Sequence, residues 1–160
     1  MTVRKIVSWA AVILWMAIIF NLSGQVAEES DQLSTGITEI IIRAIGKFAA
    51  NIHLDIDSFH HLVRKNAHFF AYFVLGVLAA NAFGQSGLHG CRRLIASLLI
   101  CVLYAASDEV HQLYIPGRSG EVRDVIIDSA GAGTGIGVYL ICKWIRKRGD
   151  RAGRHARHNG

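Results

Sequence analysis

Four long apolar segments constrain this chain more than any other feature of its sequence. They run over residues 6–22, 67–83, 94–114 and 122–145, and aliphatic, aromatic and small residues dominate each of them. About 20 apolar residues in a helix cross the roughly 30 Å of hydrocarbon in a bilayer. Because 52% of the residues are hydrophobic and only 18% are charged, an ordinary soluble domain is disfavoured. The sequence therefore predicts an all-α membrane protein, a four-helix transmembrane bundle.

The first segment has an alternative interpretation as a secretory signal peptide. It follows Arg4 and Lys5, as the hydrophobic region of a signal peptide would. The next stretch, NLSGQVAEES, however, would place Gln25 and Ala27 at a cleavage site that requires two small residues. An uncleaved transmembrane helix is the favoured interpretation, and the signal peptide is the alternative.

Basic residues predict the orientation of the bundle. Lys and Arg collect in cytoplasmic loops, and with the N-terminus inside, most of the 17 fall on the cytoplasmic side. We therefore expect a multi-pass protein of the cell membrane with both termini in the cytoplasm. Residues 1–148 form the predicted transmembrane domain. Residues 149–160 are expected to be a disordered basic cytoplasmic tail, attracted to anionic lipid and not to nucleic acid.

Two further patterns predict packing. Apolar residues recur at helical spacing over residues 37–52, opposite a charged row, which predicts an extracytoplasmic amphipathic helix lying in the membrane interface. A partly re-entrant segment is the alternative. In the last span, the stretch GAGTGIG contains two glycine pairs of the spacing that lets membrane helices approach closely. These pairs are Gly131 with Gly135, and Gly133 with Gly137.

Polar and ionisable residues gather at the outer end of three spans. Lys65, His68 and Tyr72 share one face of the second helix, and Asp124 and Asp128 share one face of the fourth. At about 1.5 Å per residue from Arg93, the third helix places Asp108 about 22 Å into the hydrocarbon, near its outer surface. Glu109 and Gln112 lie beside Asp108, and Arg118 and Arg123 lie in and after the following loop.

Ionisable groups are costly inside a membrane and usually mark a functional site. The competing interpretation is a structural network, in which Lys65, Arg118 and Arg123 neutralise the carboxylates and fasten three helices together. We favour a functional site, because apolar packing could replace a purely structural network at no cost in stability.

Several motifs follow one another in order along the chain. The stretch VRKNAHFFAYFVLG contains a basic residue followed by Lys-x-x-His-Phe-x-x-Tyr. Later motifs are Asp-Glu-x-x-Gln, Pro-Gly-Arg and Asp-x-x-x-Asp-x-x-Gly. Together they resemble the signature of VanZ-like membrane proteins, in which Asn is common at the position of Asp128. The resemblance spans about residues 6–146. It implies an integral membrane protein linked to low-level resistance to the glycopeptide teicoplanin, whose target is a cell-wall precursor outside the membrane.

The first functional hypothesis is an enzyme, a hydrolase or transferase acting on a phosphate- or acyl-linked head group of a lipid-linked or cell-envelope amphiphile. His68 is the expected general acid or base, oriented by neighbouring carboxylates. The expected catalytic residues are His68, Asp108, Glu109 and Asp124. The expected substrate-binding residues are Lys65, Tyr72, Gln112, Arg118, Arg123 and Asp128.

No cofactor or metal site is predicted, because no short metal-binding spacing is present. A divalent ion held by His68, Asp108, Glu109 and Asp128 is the weaker alternative.

The second hypothesis is a non-catalytic membrane protein that binds or modulates a cell-wall precursor, an antibiotic or a partner protein. The same cationic groups would serve such a binder. A transporter is disfavoured, because the polar groups lie at one face and not at the midplane. Membrane lipids or a lipid-linked cell-wall precursor are the expected partners, a homo-oligomer is a further candidate, and nucleic acid is not expected.

Overall fold

The computed structural model describes residues 2–24, 56–115 and 120–158, and within these ranges the regular elements are four α-helices. In chain order they are α1 (Thr2–Ser23), α2 (Ile56–Gln85), α3 (Gly90–Gln112) and α4 (Val122–His158). Each contains a stretch long and apolar enough to cross a membrane. The predicted all-α architecture with four spans is confirmed. The interfacial helix predicted for residues 37–52 lies outside the described residues and stays a prediction.

Polar residues continue two of the helices beyond their apolar spans. Helix α2 begins at Ile56 and includes the predicted span at 67–83 as its apolar part. Helix α4 continues to His158 and so includes most of residues 149–160, where the sequence predicted a disordered tail. Arg, Lys and Ala have high helix propensity, and the single proline of the chain lies before α4. The thickness of the membrane therefore does not set the end of α4, which continues through basic residues beyond its apolar part.

Hydrogen bonds between helices show the direction of each helix. The Asn81 side-chain amide donates to Ser8 Oγ at 3.1 Å, so α1 and α2 are antiparallel. The Gln112 amide donates to Ser23 Oγ at 2.8 Å, so α1 and α3 are parallel. Tyr139 OH donates to Asn81 Oδ1 at 3.2 Å, so α4 runs parallel to α2. The chain therefore runs up, down, up and down through the bundle.

The two ends of the bundle carry opposite charges. We call the end where α1 and α3 finish the acidic end. The carboxyl groups whose side chains the structure describes there are Asp108, Glu109, Glu121, Asp124 and Asp128. We call the opposite end, where α2 finishes and α3 begins, the basic end, and its cations include Arg92, Arg93, Lys143, Arg146 and Lys147.

Helix α3 has its polar and small residues facing inward and its large aliphatic residues facing outward. Ser97, Cys101 and Ala105 are buried, whereas Leu99 and Leu103 are 56% and 61% exposed. A helix of a soluble protein would bury its large aliphatic residues. Hydrocarbon makes this arrangement favourable, because lipid tails solvate leucine well and polar groups find partners only inside the bundle.

The closest contact in the bundle is between α2 and α4, and glycines make it. A Cβ on Gly131 would collide with the carbonyl oxygen of Phe69, and a Cβ on Gly135 with that of Phe73. On the facing helix, Gly76 has no room for a Cβ either. The predicted packing role of Gly131 and Gly135 is therefore confirmed.

The same prediction is wrong for Gly133 and Gly137. A Cβ on either residue would meet no atom within 4 Å. The two residues lie about 200° around α4 from Gly131 and Gly135, because each residue turns a helix by roughly 100°. The sequence spacing is identical for both pairs, so spacing alone could not show which pair faces α2.

We expect Gly135→Ala to lower the unfolding midpoint of the purified protein in detergent, at a cost of about 1–3 kcal/mol, because the new methyl group forces two helix backbones apart. Gly137→Ala is the matched control, since it adds the same methyl group to open space. Thermal unfolding followed by circular dichroism measures both. Equal midpoints for the two variants would contradict the close contact between α2 and α4.

Candidate functional site

Three helices bring a histidine and two carboxyl groups together at the acidic end. They are His68 of α2, Asp108 of α3 and Asp128 of α4, and one ligand atom from each lies within 4.8 Å of the others. His68 Nδ1 is 3.7 Å from Asp128 Oδ2. Asp108 is 2% exposed and Asp128 is 3% exposed. We call these three residues the buried triad.

Tyr72 forms the floor of the buried triad. It follows His68 by about one turn of α2, is completely buried, and donates its hydroxyl hydrogen to Asp108 Oδ2 at 3.5 Å. The second oxygens of the two aspartates, Asp108 Oδ1 and Asp128 Oδ1, are buried and accept no hydrogen bond from the described residues. Buried carboxylate oxygens normally have partners, so these two mark a place where a proton, a cation or a ligand group would be stabilised.

Lys65 lies at the rim of the site, about one turn before His68. Its ammonium nitrogen is 3.2 Å from Asp124 Oδ1 and 3.6 Å from Glu121 Oε2. The Lys65 side chain is 17% exposed, so water screens these contacts only partly. Lys65 is therefore already paired with carboxylates and links the start of α4 to α2.

Glu109 supports the start of α4. Its Oε1 accepts a hydrogen bond of 2.6 Å from the backbone N–H of Glu121, the residue just before α4 begins. The first N–H groups of a helix lack partners within the helix, and a carboxylate there also favours the positive end of the helix dipole. Glu109 thus positions α4, and with it Asp124 and Asp128.

Helix α1 contributes a serine that sequence reasoning missed. Ser23 is completely buried and accepts the hydrogen bond from Gln112, one turn beyond Asp108. Ser23 continues the buried positions Val12 and Ile19 at helical spacing, and this periodicity is the signal that could have identified it. Glu121 was missed as well, because its contacts with Glu109 and Lys65 depend on how α2, α3 and α4 pack together.

The structure brings most of the predicted site residues to one end of the bundle. His68, Asp108 and Asp128 lie together, and Tyr72 donates to Asp108. Lys65 pairs with Asp124, and Glu109 and Gln112 make the helix contacts described above. Arg123 is exposed and forms no ion pair with any residue that the structure describes. Arg118 lies outside the described residues. His111 is turned toward α1, where its ring centroid is 4.2 Å from that of Phe20.

The charges of the described site favour cations over anions. Five carboxyl groups, those of Asp108, Glu109, Glu121, Asp124 and Asp128, stand against Lys65 and His68. Two buried carboxylates this close repel each other, so a shared proton or a bound cation lowers their free energy. The buried triad offers one nitrogen and two oxygen ligands, a set that suits a divalent transition metal.

A family model described as VanZ/LLP1 matches residues 8–143, a range that includes all four spans in large part and the site from Lys65 to Asp128. Neither a curated protein nor a solved structure gives a significant match to the chain.

We expect Lys65→Met to lower the free energy of unfolding by about 1–3 kcal/mol, because it leaves the carboxylate of Asp124 partly buried without its cation. Arg123→Met is the matched control: it removes a cation from the same end of the bundle, but Arg123 is exposed. Unfolding in detergent at low salt measures both variants. If Arg123→Met lowers the free energy of unfolding as much as Lys65→Met does, overall charge and not this ion pair holds α2 to α4.

Proposed function

This chain belongs to the VanZ/LLP1 family, and within that family we propose that its acidic end acts on a lipid-linked or cell-envelope amphiphile as a hydrolase or transferase. The observation that carries the proposal is the buried triad, in which three helices bring His68, Asp108 and Asp128 within 4.8 Å of one another. Titratable groups held together inside a membrane bundle are expensive and typical of functional sites.

The geometry supports proton transfer by His68. Its Nδ1 faces Asp128, which leaves Nε2 to take a proton from water or from an acceptor hydroxyl. The oxygen freed of that proton attacks the carbonyl carbon of the substrate, and the bond to the leaving oxygen then breaks. His68 returns the proton to the leaving oxygen. Asp128 stabilises the charged imidazole between the two steps, as carboxylates do in other acid–base pairs.

The electrostatics of the site favour an acyl linkage. Five carboxyl groups repel a phosphate, and the cation nearest to the triad, Lys65, is already paired with Asp124 and Glu121. A neutral ester enters such a pocket without this penalty. Tyr72 OH, which donates to Asp108 Oδ2, is the group suited to turn to the carbonyl oxygen of the substrate and donate to it as that oxygen becomes negative.

A metal-assisted form of the reaction is the second candidate, and the spacing of the buried triad favours it. His68, Asp108 and Asp128 would hold a divalent ion through one ligand atom from each residue. Such an ion would neutralise the carboxylates, polarise the substrate and allow a phosphate-linked head group to bind. The two forms therefore predict different substrates.

We expect purified protein incubated with bacterial lipid extract to convert a lipid species, and His68→Gln and Asp128→Asn each to reduce the rate at least about 100-fold, as the removal of a general base does. Mass spectrometry of the extract measures the change. His89→Gln is the matched control, because His89 is exposed at the basic end. If the protein retains a lipid saturably but forms no product, the enzyme hypothesis is wrong and the protein is a non-catalytic binder.

Chelation in the same assay separates the two forms of the reaction. With EDTA, the proton-transfer form keeps its rate and releases a fatty acid or another acyl product. The metal-assisted form loses its rate, regains it with Mn²⁺ or Zn²⁺, and releases a phosphate-containing head group. If a phosphate-containing product still forms in the presence of EDTA, the electrostatic preference for an acyl linkage is wrong.

The proposal includes a cell-membrane location with both termini in the cytoplasm, so that the acidic end faces the cell envelope. This orientation fits the family link to teicoplanin, whose target lies outside the membrane. It is supported by the basic residues at the opposite end, where Lys and Arg favour the cytoplasm.

We expect a membrane-impermeant maleimide to leave Cys91 unlabelled in intact cells and to label it after permeabilisation. Cys91 is an exposed cysteine at the basic end. Tyr114→Cys provides the comparison, because Tyr114 is 81% exposed at the acidic end and should label in intact cells. A Cys91→Ser variant identifies the background from the other cysteines. Labelling of Cys91 in intact cells would show that the basic end faces the outside. The acidic end, and with it the site, would then face the cytoplasm.

A further inference from the structure

The basic end contains a buried arginine that the acidic site does not use. Arg93, in the first turn of α3, is only 8% exposed. Its guanidinium carbon lies 5.6 Å from the centre of the Tyr139 ring, and its Nε has no hydrogen-bond partner among the described residues. An arginine is rarely buried without an anion, because the uncompensated charge is costly.

A second cation, Lys143, lies close to Arg93. The ammonium nitrogen of Lys143, from α4, lies 5.8 Å from the same Tyr139 ring. The Arg93 Nη1 and Lys143 Nζ atoms would lie 3.0 Å and 3.7 Å from a single point, the Cβ position of Gly84, so the two cations are near neighbours. Lys143 is also repelled by Lys147. Helices α3 and α4 therefore bring like charges together, although separate positions would reduce their repulsion.

Carboxylates do not balance these cations within the described part of the chain. The acidic side chains that the structure describes all lie at the acidic end, and the ion pairs formed there do not include Arg93 or Lys143. The acidic residue that follows in α4, Asp150, comes two turns after Lys143, about 10 Å further along the helix. The Tyr139 ring faces both cations, but a ring offers only a weak attraction compared with an anion.

We propose that Arg93 and Lys143 bind the phosphate group of a membrane lipid at the basic end of the bundle. Arg93 is suited to a two-point contact with phosphate oxygens, and Lys143 adds a second positive charge. Gly84 leaves room for the guanidinium, because a Cβ there would crowd Arg93. Both cations lie near the end of a span, where lipid head groups meet the protein. The site is independent of the reaction proposed for the acidic end.

The test uses the full chain purified in a non-ionic detergent, titrated with a short-chain phosphatidylglycerol and followed by native mass spectrometry. We expect one lipid to bind saturably, and Arg93→Gln and Lys143→Gln each to weaken its affinity about tenfold. Arg92→Gln is the matched control: it removes the same charge from the neighbouring residue, which is exposed, and should change the affinity less than about twofold.

Three results of the lipid titration would overturn the proposal. They are unsaturable lipid binding, equal affinities for wild type and the two site variants, and a loss of affinity for Arg92→Gln as large as that for Arg93→Gln. If Arg93→Gln fails to fold, Lys143→Gln decides the matter, because that side chain is exposed. Inorganic phosphate provides the last arm of the test. If inorganic phosphate displaces the lipid at concentrations similar to those of the lipid, the site binds soluble phosphate and the lipid assignment is wrong.

Discussion

The rest of the structure depends on the glycine contact between α2 and α4. Gly76, Gly131 and Gly135 let the two parallel backbones approach so closely that each helix has a single register against the other. With Phe69 opposite Gly131, the preceding turns place His68 beside Asp128 and Lys65 beside Asp124. A shift of one residue would rotate these side chains to other faces of their helices. Close packing of small residues thus determines the chemistry of the acidic end.

The hydrocarbon around the bundle explains why its polar residues turn inward. In a membrane, polar groups have no water to bind, so each needs a partner from another helix. Trp15 donates its indole hydrogen to the Ala71 carbonyl, and Tyr104 donates its hydroxyl hydrogen to the Met16 carbonyl. These bonds fasten α1, which is otherwise the most lipid-exposed helix, to α2 and α3. The outward leucines and isoleucines of the same helices need no partner other than lipid.

The ionic groups that lack a protein partner are the informative ones. Lys65 and Asp124 compensate each other, and Glu109 holds the start of α4, so both contacts have a structural explanation. Asp108 and Asp128, by contrast, have buried oxygens without described partners, and Arg93 has a buried nitrogen without one. A proton or a cation would therefore stabilise the acidic end of the bundle, and an anion would stabilise the basic end.

The sequence by itself determined the number of spans, the helical class and the set of residues at the acidic end. Length and hydrophobicity dictate a span, and helical periodicity puts His68 with Tyr72, and Asp124 with Asp128, on common faces. These properties are local, so they can be predicted along the chain. Only the tertiary structure decided that Gly131 and not Gly133 meets α2, and that Asp124 pairs with Lys65 while Asp128 faces His68. The burial of Ser23 and the closeness of Arg93 to Lys143 also depend on which helices are neighbours. Contacts between helices follow from the rotation and register of each helix, and these are set by the packing of all four together.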